Sequence, residues 1–135
     1  MRVIDISMFT IVGIVILGFP LCADAANCLT IENVKGQSAS SNRNYEMGKD
    51  GFSSTLKFCF EGDEGAFDGN TGVFRRFGPA TFVWFDTIGE TVVVEVWTFD
   101  LANRKALFSR TRGTGSLLPA TVGAFVGDIT ATEIE

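Results

Sequence analysis

The 135 residues include no histidine, and this absence excludes a large part of enzyme chemistry. Without imidazole no Ser-His-Asp or Cys-His arrangement can form, and no imidazole metal site either. Basic residues are also in the minority, 11 against 16 acidic, for a formal net charge of −5. Such a chain repels phosphate backbones, so nucleic acid is not an expected partner. The glycines from Gly62 to Gly72 match neither a phosphate loop nor a dinucleotide fingerprint, and no helical pattern follows them. No serine or threonine stands in a nucleophile-elbow sequence.

Cysteine is scarce too, with three in the chain. The first, Cys22, falls in a segment that reads as a signal peptide over residues 1–25. Arg2 opens it, Met8 to Phe19 is an uncharged apolar run, and Pro20 ends that run. Ala23-Asp24-Ala25 then places small residues where a signal peptidase reads, so cleavage is expected before Ala26. The alternative is an uncleaved anchor, for which Ile6 to Ala23 is only just long enough. Removal takes away Arg2, Asp5 and Asp24, so the net charge of −5 becomes −4. The remaining residues, 26–135, suffice for one domain and are too few for two. The expected location is secreted or periplasmic, with no membrane attachment once the leader is gone. In that oxidising setting Cys28 and Cys59 most simply form one disulfide. Closing a loop of roughly 30 residues contributes about 3–4 kcal/mol through the unfolded state.

What the chain does have is phenylalanine and β-branched residues. Three consecutive strands are expected from Phe82 to Arg112: FVWFDT, TVVVEVWTFDL and KALFSRTR. In the turn between the last two, Asp100 accepts backbone hydrogen bonds and Asn103 is the residue expected to turn left-handed. The central strand is apolar on both faces, with Val92, Val94 and Val96 on one and Val93, Trp97, Phe99 and Leu101 on the other. That predicts a sandwich or small barrel with something packed outside it. Glu95 sits among these residues and needs a cationic partner if buried. Arg76, Arg110 and Arg112 are candidates, with Arg110 first because its strand follows through a tight hairpin.

Elsewhere the signals are shorter. Cys28 to Val34 reads as a first strand and Gly36 to Gly51 as a long polar loop, broken at most near Tyr45 to Met47. Phe52 to Glu61 reads as one strand in which Leu56, Phe58 and Phe60 share a face. EGDEGAF and DGNTGVF, residues 61–67 and 68–74, form a two-copy repeat. It reads as two glycine turns that each send a phenylalanine inward. The oxygen-rich alternative, a calcium loop, lacks the EF-hand spacing. Val73 to Phe77 is a strand with Arg75 and Arg76 on opposite faces. One helical turn is expected over Ala120 to Ala124 and a short closing strand over Gly127 to Thr132, followed by a frayed acidic tail. The fold expectation is all-β, a small antiparallel barrel or sandwich of about seven or eight strands with one disulfide. In outline this is similar to calycin-type barrels, an architectural likeness without any motif of that superfamily.

The functional expectation is an exported, non-enzymatic binding protein that needs no cofactor or metal. Its partner is a small apolar molecule inside the barrel, with Trp84, Trp97 and Phe99 as walls, or a secreted or surface protein. In the second case the chain is a protein-binding module, such as an inhibitor of a secreted enzyme, presenting the Gly36 to Gly51 loop or the repeat. A third reading, a carboxylate enzyme, pairs Asp86 with Glu95 on adjacent strands.

Overall fold

The computed structural model describes residues 26–113 and 118–134; the expected leader, residues 1–25, lies outside the described residues. The chain is all-β. Its strands are β1 (Asn27–Ser40), β2 (Gly48–Phe52), β3 (Leu56–Glu61), β4 (Glu64–Phe67), β5 (Phe74–Arg76), β6 (Thr81–Ile88), β7 (Thr91–Asp100), β8 (Lys105–Arg112) and β9 (Thr121–Glu133). Antiparallel pairs run from β3 in order to β9, and β1 pairs with β3 on one edge and β9 on the other. Eight strands therefore close a barrel. The ninth, β2, lies beside Val34–Ser38 of β1, following on the edge whose first half β3 occupies. The cysteines stand directly opposite each other on β1 and β3 and are joined, with an S–S distance of 2.09 Å.

The meander from β6 to β8 is as expected. Its first hairpin turns on two residues, and Gly89 supplies the positive φ of 63° that a tight hairpin needs. In the second, Asp100 accepts the Asn103 backbone N–H at 3.0 Å and its side-chain amide at 2.8 Å. The left-handed residue, however, is Arg104 at φ 53°, not Asn103. Arg104 is held there by β9: its Nε donates to the Ile129 carbonyl at 3.0 Å, and its own carbonyl accepts the Ile129 N–H at 2.9 Å.

Four expectations change. Gly36 to Gly51 is not a loop: residues 36–40 belong to β1 and 48–51 to β2, leaving 41–47 as the connection, and Tyr45–Met47 forms no strand. The strand signal was hidden because this half of β1 turns Ser38 and Ser40 into buried positions where apolar residues would normally stand. The helical turn at Ala120 to Ala124 is replaced by β9, which begins at Thr121 and runs through Glu133. Its inward positions are Gly123, Phe125, Gly127 and Ile129, so glycine at two of the four interrupts the alternation. Glu133 is paired rather than frayed, 3.3 Å from Lys57. Finally, the expected strand from Phe52 to Glu61 is broken at residues 53–55, with Phe52 ending β2 and Leu56 starting β3.

The interior is aromatic. Phe58 is fully buried and its ring meets those of Phe60, Phe67, Phe74, Phe82 and Phe99 at centroid distances of 4.9–6.2 Å. Gly65 makes room for it, since a Cβ there would stand 2.4 Å from the Phe58 ring. Both repeat copies do send a phenylalanine inward, Phe67 against Trp97 and Phe74 into the core. The outside differs from expectation: the second apolar face of β7 is open at Val92 and Val94, 49% and 36% exposed, and only half-covered at Val96.

Candidate functional site

The barrel interior has two ends, and each holds a cation. At one end β7 and β8 place Glu95 directly opposite Arg110, both facing inward. Arg110 Nε donates to Glu95 Oε1 at 2.7 Å, so the partner expected first from the sequence is the one that reaches it. Glu95 is well buried, its side chain 14% exposed, while Arg110 keeps 40% exposure and lies over the Phe108 ring. Desolvation is thus carried mainly by the carboxylate, and the guanidinium reaches water.

β1 and β2 add a second polar cluster at this end. Ser38, buried, donates to Asp50 Oδ2 at 2.6 Å, and Arg43 reaches Ser38 Oγ at 2.9 Å and the Ser38 carbonyl at 3.1 Å. The Asp50 carboxyl is held below its ordinary 3.8 by the Ser38 hydroxyl, by the Gly51 backbone N–H, and by the nearby Arg43 and Arg110 charges.

Beside the Glu95–Arg110 pair opens a cavity of about 420 Å³. Its apolar walls are Phe52, Leu56, Phe67, Trp97 and Phe108, and Glu95 and Arg110 lie among them. The break at residues 53–55 contributes Ser54, and the second repeat copy contributes Asp68, Gly69 and Asn70 at the rim. Trp97 stacks on Phe108 at 4.3 Å with planes 16° apart, which fixes the indole plane. The indole is 3% exposed, yet its Nε1 has no hydrogen-bond partner. A volume of this size, with ring and aliphatic walls on one part and Ser54, Asp68, Asn70, Glu95 and Arg110 on the rest, is in the range of small-molecule sites.

The other end is smaller and differently built. A hollow of about 280 Å³ is lined by Leu29, Phe60, Arg76, Phe82 and Phe99, among others. Arg76 Cζ stands 5.2 Å from both the Phe60 and the Phe82 ring centroids. Its Nε is buried without a partner, and no carboxylate pairs with it among the described residues. A third depression, about 390 Å³, lies outside the barrel over Val96, Leu107, Ala124 and Val126; Lys35 is its one charged lining residue.

Of the three residues expected as ligand walls, Trp97 lines the larger cavity. Phe99 faces inward but belongs to the Arg76 end. Trp84 lines neither: it packs on Phe74, and the Gly72 backbone lies against its indole. The wall residues that sequence reading missed are Phe52, Leu56, Phe67 and Phe108. Their inward alternation was legible, but which strands face one another across the barrel was not. The Asp86–Glu95 pair is not brought together in this cavity. Asp86 is exposed and its Oδ1 accepts the Thr87 backbone N–H at 2.7 Å, whereas the second carboxylate lining the cavity is Asp68. Among the described residues no group of three or more acidic or cysteine side chains is placed to hold a metal ion, and no helix is long and apolar enough to cross a membrane.

No protein-family model, curated protein or solved structure matches the chain.

Proposed function

We propose that the protein is an exported, non-enzymatic binding barrel that holds a small, largely apolar molecule in the cavity at the Glu95 end. The observation that carries this reading is the cavity itself, about 420 Å³, where Phe52, Leu56, Phe67, Trp97 and Phe108 form apolar walls beside the Glu95–Arg110 ion pair and a polar rim of Ser54, Asp68 and Asn70. Ring-lined walls bind by area removed from water, and a few fixed polar groups orient the bound molecule. The disulfide supports an oxidising location, and it staples the far half of β1 from the cavity, so the site sits on a cross-linked frame. Native mass spectrometry of the exported protein tests the reading. The expected result is a retained adduct of a few hundred daltons that is absent after Leu56→Trp, a substitution that fills the cavity. A protein that exports without any adduct, and takes up no apolar dye after delipidation, would contradict it.

A second reading, a protein-binding module such as an inhibitor of a secreted enzyme, is favoured by one observation. Among the described residues β2 is paired on one edge only, with β1. A free strand edge is a template for an added strand. Lys49→Pro, which disrupts that edge, separates the two readings: it abolishes capture of a protein partner and leaves small-molecule uptake intact.

A further inference from the structure

We infer that the molecule bound at the Glu95 end is uncharged and carries a hydrogen-bond acceptor, such as a ketone or amide carbonyl, and that the Trp97 Nε1–H is the donor that reads it. This rests on the reading of that cavity as a ligand site. The first support is the orphaned donor. Trp97 is 97% buried by virtue of its 3% exposure, lines the cavity, and leaves Nε1 without a partner. A buried N–H that neither protein nor solvent satisfies is costly, and an acceptor arriving with the ligand removes that cost.

The second support is charge balance. Two cations, Arg43 and Arg110, and two anions, Asp50 and Glu95, meet at this end. Glu95 is engaged by Arg110, and Asp50 by Ser38 and the Gly51 N–H. An anionic ligand would find no net positive field, and Asp68 at the rim would oppose it. A cationic ligand would find only the exposed Asp68, a weak, screened attraction. A neutral acceptor is the group that the free donor accommodates without disturbing the existing pairs. Phe67 packs on the indole at 4.9 Å and is only partly buried.

The test uses benzophenone and diphenylmethane, which differ by one carbonyl, with diphenylacetate as the anionic arm. Each is titrated into the full exported protein while the two indole N–H resonances are followed by NMR, Trp84 serving as the internal control. The expected result is that benzophenone binds about tenfold more tightly than diphenylmethane, as one buried hydrogen bond implies. The Trp97 indole proton should move downfield with benzophenone alone, and Trp97→Phe should erase the preference. Equal binding of the two neutral probes with an unmoved Trp97 resonance would overturn the acceptor inference and leave the cavity reading standing. Tighter binding of diphenylacetate would overturn the neutral assignment. Failure of all three probes to bind would count against the cavity reading itself.

Discussion

The two ends of this barrel solve one problem in different ways. Each places an arginine against phenylalanine, but Arg110 is matched by Glu95 across a strand pair, whereas Arg76 lies over two rings and among the described residues pairs with no carboxylate. At the Glu95 end the ion pair sits beside an open cavity and the buried Trp97 indole. Toward the Arg76 end Phe58, Phe60, Phe82 and Phe99 pack ring against ring, and Phe67 reaches from Phe58 to the cavity wall. A carboxylate as buried as Glu95 needs its counter-ion, while a cation on ring faces is stabilised by their quadrupoles. The interior thus divides into a ring-filled end and an open end within a single sheet.

Substitutions can break that division. The largest effect is expected from Phe58→Ala, about 3–5 kcal/mol lost in chemical denaturation, because the cavity left cannot collapse among so many rings. Phe52→Ala, at a partly buried ring beside the site, should cost well under half as much. Comparable losses at the two positions would show that both ends are equally structural. Reduction of Cys28–Cys59, or Cys28→Ser with Cys59→Ser, should remove about 3–4 kcal/mol, measured as the shift in denaturant midpoint.

Smaller effects sharpen the contrast between the arginines. Arg110→Met strands the Glu95 carboxylate and should cost about 2–3 kcal/mol, below the usual loss for a fully buried pair because Arg110 is partly solvated. Arg76→Met keeps the packing stem and removes an unpaired charge, so its effect should stay within about 1 kcal/mol. A reversed order would mean that Arg76, not Glu95, anchors the buried electrostatics.

Acid should act weakly at both ends. Asp50, Asp100 and Asp128 all have carboxyls held below their ordinary 3.8, chiefly by hydrogen bonds from Ser38, Asn103 and Lys105 respectively. Their folded values are depressed, so their contribution is present above the unfolded value and fades as pH falls through and below about 4. Ser38→Ala should raise the Asp50 titration midpoint, followed by NMR, and leave Asp100 and Asp128 unchanged.

Much of the fold was legible because the meander obeys period two and Glu95 had one well-placed partner in Arg110. The site was less so. Trp97 could be identified as an inward ring, but Phe52, Leu56 and Phe67 come from other strands and become its neighbours only when the sheet closes. Closure itself was masked by Ser38 and Ser40 in β1 and by Gly123 and Gly127 in β9, small or polar residues at buried positions where alternation would otherwise show. Trp84 and Trp97 carry the same residue type on paired strands, yet the break at 53–55 opens space beside Trp97 alone.

The most direct measurement is titration of N-phenylnaphthylamine fluorescence against three proteins: the unsubstituted chain, Leu56→Trp at the Glu95 end and Ala80→Phe at the Arg76 end. Binding is expected in the unsubstituted chain and in Ala80→Phe, and loss of binding in Leu56→Trp, with all three unfolding cooperatively. Binding that survives Leu56→Trp but fails in Ala80→Phe would place the site at the wrong end and contradict the account.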